Sequence, residues 1–332
     1  MDPVEVSQAY QAARHHAGLI LRERGLIVVS GQDRASYLQG LLTNDISALA
    51  AGQGCYTAYL TAQGRMISDL FVYELGDVIL LALPRSTKDT VLAKLDEFIF
   101  SEDVQLGDVT DVFSAVAVVG PAAASAVSAV SGVSEADLRA LPPYGCRRID
   151  AEQPGILLSV DDTGEPGFEL LVANDQMPHV LQSLEKAGVA RIDAETADIL
   201  RIEAGVPLFG PDMAEDTIPL EAGIEQRAIS FTKGCYVGQE VIIRVLHRGH
   251  GRVAQKLVGL VMEPGQAVPE PGTTLQADGK DIGVVTSSAE SPALDRPIAL
   301  AYLKRDFTAP GTPVQLPAGP ATVATLPFVA PS

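Results

Sequence analysis

Helical periodicity stops near residue 253, and this one change of texture limits the folds open to the chain. Beyond it, short apolar runs at 256–262, 282–287, 298–303 and 322–326 alternate with turns rich in proline and glycine. That is the pattern of a small β-barrel or sandwich. Before it, strand-like and helix-like segments alternate without regular βαβ spacing, which points to an α+β body with mixed sheets. The expected division is a body over 1–250, built of two α+β subdomains at about 1–115 and 116–250, and a C-terminal β-barrel over 251–326. A length of 332 residues suits two or three domains.

Within the body, Leu26-Ile27-Val28-Val29 reads as a strand, and residues 30–33 offer caps for a helix running to about Leu42. Segments 55–61 and 66–75 flank Gln63-Gly64 and read as a hairpin, followed by a strand at 78–83. Ser86-x-x-Asp89 resembles a capping box opening a helix with Val91, Leu92, Leu95, Phe98 and Ile99 on one face. Strands fit 104–109, 112–119, 155–160 and 167–173. Helices fit 176–186 and the stretch from Asp193 to Gly205. The Ala/Val-rich stretch 115–133 is broken by Gly120-Pro121 and reads as a strand followed by a helix. No apolar run reaches the roughly 18 residues of a membrane span.

Hydrophobic residues make up 47% of the chain and charged residues only 20%, so it can bury sizeable cores. The net charge of −18 argues against direct nucleic-acid binding and against an anionic membrane surface, both of which need a basic field. It leaves room for an anionic ligand in a local basic pocket. Cys55, Cys146 and Cys235 form no C-x-x-C pair, so neither a disulfide framework nor a zinc ribbon follows. With no apolar leader at the N-terminal end, the expected location is cytoplasmic.

Residues Lys233-Gly234-Cys235-Tyr236-Val237-Gly238-Gln239-Glu240 place a thiol, an amine and a carboxylate around two glycines. Glycines permit positive φ and close backbone approach, so this octapeptide is expected to be a shaped loop. Two readings are open for Cys235: a thiolate favoured by Lys233, or a small hydrophobe in a tight turn. Alone it cannot hold a metal cluster, which needs about four ligands. Asp69 is one carboxylate in an apolar strand, where a bare charge is costly unless its face is solvated. Glu203, near the end of an apolar helix, is either on a solvated face or a ligand carboxylate. Residues 241–262 carry no acid but contain Arg244, His247, Arg248, His250, Arg252 and Lys256. This island is a solvated surface or a cradle for an anionic tail. His247-x-x-His250 is too loosely spaced to predict a metal site, and no metal is expected. Gly52-Gln53-Gly54 lacks the third glycine of a dinucleotide loop, and no P-loop, G-x-S-x-G or H-E-x-x-H occurs.

The octapeptide resembles the signature of the YgfZ family, folate-binding relatives of the glycine-cleavage T-protein that assist iron–sulfur proteins. Two further stretches share in the resemblance. One is Arg201-Ile202-Glu203-Ala204-Gly205-Val206-Pro207, continuing through Phe209-Gly210 to Ile218-Pro219-Leu220-Glu221-Ala222-Gly223. The other is Gly31-Gln32-Asp33-Arg34, Tyr37-Leu38-Gln39-Gly40-Leu41-Leu42-Thr43-Asn44-Asp45 and Gln63-Gly64-Arg65. These two are shared with the wider T-protein superfamily, and the match runs from about residue 26 to 304. The resemblance implies a folate-binding α+β body with a C-terminal barrel. Tetrahydrofolate or a one-carbon derivative is the implied cofactor, and iron–sulfur client or assembly proteins are the implied partners. Cys235 would be the working thiol, with Lys233, Gly234, Gly238, Gln239 and Glu240 shaping its loop. Asp69 would sit by the pterin and take part in any chemistry. Glu203 or Glu221 would accept pterin N–H groups, and Arg244 would meet the folate's glutamates. With no tryptophan in the chain, stacking falls to Tyr56, Tyr59, Tyr236 or Phe231. The main expectation is assistance to iron–sulfur cluster assembly or repair. A first alternative is a tetrahydrofolate-dependent aminomethyltransferase, supported by Asp69, which many YgfZ-type members lack; T-proteins in turn lack the octapeptide. A second is a non-catalytic folate-binding scaffold.

Overall fold

Gly54–Leu60 and Met66–Glu74 form the expected hairpin, with Gly64 in the left-handed region at φ +73° in its turn. The structure is a computed structural model describing residues 3–150, 154–247 and 252–330. Ile79–Pro84, Arg24–Ser30 and Gln105–Asp108 extend the hairpin into a five-stranded antiparallel sheet. The helices Arg34–Leu41 and Lys88–Asp96 cover one face, burying Leu38, Leu41, Val91 and Leu95 against Ile27, Val29 and Leu81. The capping box at Ser86 does not form. Residues Arg85–Thr87 make a 3-10 turn first, and Thr87 donates its hydroxyl back to the Pro84 carbonyl.

The second sheet has six strands in the order Ala190–Arg191, Gly18–Arg22, Phe113–Val119, Gly167–Ala173, Gly155–Val160, Cys146–Ile149. Its one parallel pairing joins Gly18–Arg22 to Ala190–Arg191, so the α+β body carries a mixed sheet as expected. Gly18–Arg22 is drawn there because Leu19 buries among Val116, Val118 and Phe168. The chain passes from this sheet to the first at Glu23 and returns to it between Asp108 and Phe113. Helices Ala123–Ser131 and Met177–Lys186 cover the outer face. The inner faces of the two sheets meet through Leu26, Leu80 and Ala82 against Ala115, Leu158 and Leu171.

The helix Ala194–Glu203 starts at Asp193, whose carboxylate accepts from the Thr196 amide. It lays Ile199 and Ile202 against Ile298, Leu300 and Tyr302 of a closed six-stranded barrel. Around the barrel run Gln255–Met262, Arg296–Lys304, Lys280–Ser291, Thr274–Ala277, Pro313–Leu316 and Gly319–Ala324, the last pairing back to the first. Four coincide with the apolar runs of the sequence. Thr274–Ala277 and Pro313–Leu316 are only four residues long, too short to show a period of two. Among the described residues no helix is long and apolar enough to cross a membrane.

Candidate functional site

Asp69 projects from Met66–Glu74 into a cavity lined by Arg24, Tyr56, Phe71, Leu83, Asp162 and Arg227, with Val206, Pro207, Leu208 and Ile224 as a further wall. Strand alternation leaves Asp69 facing this cavity rather than bulk solvent. Its Oδ2 accepts a hydrogen bond of 2.8 Å from the Tyr56 hydroxyl, while its buried Oδ1 has no partner. Burial raises the carboxyl above its ordinary value, against the opposing pull of Tyr56, Arg24 and Arg227. Burial likewise pushes the Tyr56 phenol well up, so it remains a donor at physiological pH.

The two arginines flanking Asp69 are held by other carboxylates. Arg24 pairs with Glu169 at 2.9 Å and lies 3.8 Å from Asp162, with its guanidinium 5.6 Å from the Phe71 ring centre. Arg227 lies 5.2 Å over the Tyr56 ring, donates to the Tyr144 hydroxyl at 3.1 Å and pairs with Asp161 at 3.2 Å. Tyr56, Phe71 and Tyr144 pack together, with ring centres 5.1 and 5.7 Å apart across Phe71. The cavity thus combines flat apolar walls with a carboxylate oxygen free to take a proton or an N–H donor. A flat heteroaromatic ring bearing N–H groups fits that chemistry.

The octapeptide meets this site from behind. The Lys233 ammonium donates to the carbonyls of Gln39, Leu42 and Asn44, each at 2.7 Å. All three of its N–H bonds are thus used on backbone, and none is left for Cys235, which is exposed. Burial pushes Lys233 down to about 8, with Asp45 and Cys55 pulling it up. Asn44, fixed in this way, donates its amide to the carbonyls of Tyr56 and Arg227, at 2.8 and 3.0 Å. Gly234 is exposed, and Gly238 is at φ +84° where a Cβ would come within 2.5 Å of the Thr61 carbonyl. The loop ends there: Gln239 and Glu240 open the helix Gln239–His247 instead of continuing it. Lys233→Met should leave three buried-side carbonyls unpaired and cost about 3 kcal/mol in urea unfolding; a loss below about 0.5 kcal/mol would remove the clamp role.

Of the residues expected at a cofactor site, Asp69 lines the cavity; Cys235, Glu203, Glu221, Arg244 and Tyr236 do not. Glu203 is fully buried, and its carboxylate is already taken by Arg14, by the Tyr10 hydroxyl at 2.7 Å and by the Ser291 hydroxyl. Sealed in that network, it is not presented to the cavity. Glu221 is buried beside Gln255, at 3.4 Å. Arg244 is exposed on its helix, and Tyr236 packs under Lys233, 5.3 Å from ring centre to ammonium. Arg248 and His250, and the side chain of His247, lie outside the described residues. Arg24, Asp162 and Arg227 carry no local sequence signal. Asp162 belongs to a turn-rich run, and Arg227 lies four residues beyond the Ile218-to-Gly223 motif.

Residues 4–233 match the family model described as the GCVT N-terminal domain, and residues 255–329 match the glycine cleavage T-protein C-terminal barrel domain. Among curated proteins, the chain is similar to an aminomethyltransferase of Streptomyces coelicolor, 34% identical over 92% of this chain and 83% of the relative. It is similar to an aminomethyltransferase of Bacillus subtilis, 32% identical over 94% and 86%. Among solved structures it resembles the glycine cleavage system aminomethyltransferase T of Bartonella henselae, with a TM-score of 0.86 and 25% identity over 98% of this chain and 90% of that one. These relatives overturn the expectation of iron–sulfur cluster assembly with iron–sulfur partners, because those compared over nearly the whole chain are named aminomethyltransferases. The physical counterpart is Lys233, which clamps backbone rather than activating a thiol.

Proposed function

The chain belongs to the glycine-cleavage T-protein family, and on that premise we propose that it is a tetrahydrofolate-dependent aminomethyltransferase. The observation that carries the reading is Asp69, a buried carboxylate with one oxygen held by Tyr56 and the other unpartnered in an aromatic-walled cavity. Aminomethyltransferases of this family use tetrahydrofolate. The orphaned Oδ1 and the flat walls suit its pteridine, and Asp69, Tyr56, Phe71 and Arg227 are the residues that would hold it. Bound tetrahydrofolate supplies the nitrogen that accepts the one-carbon unit. Asp69 holds a proton at Oδ1 in the course of transfer, and Tyr56 fixes the carboxylate's orientation. Arg24 and Arg227, themselves paired to Glu169, Asp162 and Asp161, offset part of the cost of ionising that carboxylate, and the wall 206–208 limits access of water.

The test is to mix the protein with tetrahydrofolate and an aminomethylated lipoyl carrier protein and to follow ammonia release and methylene-tetrahydrofolate. Both products are expected. Cys235→Ser should retain rate and folate affinity within about twofold, as surface substitutions outside a site do. Binding without transfer would favour a folate-binding scaffold. Absence of both would overturn the reading, and a Cys235→Ser loss above tenfold would return the thiol to the chemistry.

A further inference from the structure

The wall 206–208 is not held by the body alone. The buried Asp212 receives the Leu208 amide on Oδ2 at 3.0 Å, and Arg201 reaches the same oxygen at 2.6 Å. Arg201 also donates to the Val206 carbonyl at 3.2 Å, so the pair grips both ends of the Val206-Pro207-Leu208 wall. The other oxygen of Asp212 faces the barrel. There it accepts from the hydroxyls of Thr286 at 2.5 Å and Ser287 at 2.7 Å, and Ser287 accepts in turn from Arg201 at 2.7 Å. Tyr302, from the neighbouring barrel strand, donates to the Asp212 carbonyl at 2.9 Å. One carboxylate therefore joins the cavity wall to barrel strand Lys280–Ser291.

We propose that the barrel is part of the ligand-binding machinery: Thr286 and Ser287, through Asp212 and Arg201, are positioning residues that hold the cavity wall in its binding position. The ligand named in the test rests on the aminomethyltransferase reading, whereas the mechanical link does not. A buried hydrogen-bonded pair has one good geometry, so a wall tied to it is held to a small range of positions. None of the four touches Asp69, whose partners Tyr56, Arg24 and Arg227 come from other elements. Loss of the barrel hydroxyls should therefore loosen the grip on ligand more than it slows the chemistry.

The experiment compares wild type with Thr286→Val/Ser287→Ala, reading tetrahydrofolate affinity, the kcat and KM of transfer, and hydrogen exchange at the Leu208 amide. The expected result is a Kd and KM raised about tenfold with kcat changed less than about twofold, and faster exchange at Leu208. Thr286→Ser, which keeps the hydroxyl, should behave as wild type. If the double variant does not fold, Ser287→Ala alone gives the same readouts. Wild-type binding with an unchanged Kd and KM in a folded variant overturns the inference, even if the melting temperature falls. If wild type binds no tetrahydrofolate, the aminomethyltransferase reading falls. Leu208 exchange then decides alone: faster exchange supports the link and unchanged exchange overturns it.

Discussion

Asp69→Asn lowers kcat for one-carbon transfer by about a thousandfold, the range for loss of a positioned proton-transfer group. The substitution preserves shape. Asparagine can still accept from the Tyr56 hydroxyl, which lies 2.8 Å from Oδ2, so the aromatic wall has no reason to move. Stability should hold or rise slightly, because the native carboxylate is buried with one oxygen unpartnered. The pH dependence follows from the sign of the shift. Burial raises the folded-state value above the ordinary one, so the folded chain binds the extra proton in the window between the two. Asp69 therefore adds stability below its unfolded value, and this is lost as pH rises through its raised folded value. Activity runs the other way: the ionised form needed to take a proton appears only above the raised value, giving an acid limb in kcat/KM. That limb should vanish in Asp69→Asn. A variant that keeps a tenth of wild-type kcat, or the same acid limb, would exclude Asp69 as the proton carrier.

Arg14→Met should give the largest loss of stability, about 3–5 kcal/mol, the cost of leaving buried charge without its partner. Arg14 pairs with Glu165 at 2.5 Å and with Glu203, all three buried. Tyr10 and Ser291 complete the network, which ties the N-terminal helix, the helix Ala194–Glu203 and the barrel strand Lys280–Ser291. Burial raises the Tyr10 phenol, with Glu203 acting in the same sense, so it donates rather than ionises. Thermal unfolding should drop by roughly 10 °C. Glu203→Gln, which keeps volume but removes one charge from the ion pair, should lose less. At a temperature where each variant is folded, tetrahydrofolate affinity should match wild type. A selective loss of affinity in Glu203→Gln with unchanged melting would instead restore a ligand role to that carboxylate.

Local chemistry made much of the fold legible. Gln63-Gly64 announced its hairpin because only a residue tolerant of positive φ fits that turn, and Gly64 has φ +73°. Gly205 announced the end of the helix Ala194–Glu203 because a C′ residue must tolerate positive φ, and Gly205 has φ +68°. Asp69 stood out as a candidate because a lone carboxylate in an apolar strand demands an explanation. Other features left no local trace. Ser86-x-x-Asp89 had the spacing of a capping box, yet the turn at Arg85–Thr87 supplied a different start. Gly18–Arg22 joined the second sheet through contacts with residues about 100 positions away.

The octapeptide marks the boundary between the two kinds of information. Its composition required a shaped loop, since Gly238 can tolerate neither a side chain against Thr61 nor the strain of its φ. Whether Lys233 faced Cys235 or the carbonyls of Gln39, Leu42 and Asn44 depended on where a segment some 190 residues earlier came to rest. Glu203 and Asp69 were equal candidates as isolated carboxylates. Only packing gave one a cation, a phenol and a hydroxyl, and left the other, which lines a cavity, with a buried oxygen that has no partner. The sequence by itself determined the strand and helix periods, the turns and the stock of ionisable groups, because these follow from backbone sterics and side-chain chemistry. Tertiary structure alone decided which of those groups were satisfied, because partners for a buried charge are supplied by long-range contacts that no local pattern encodes.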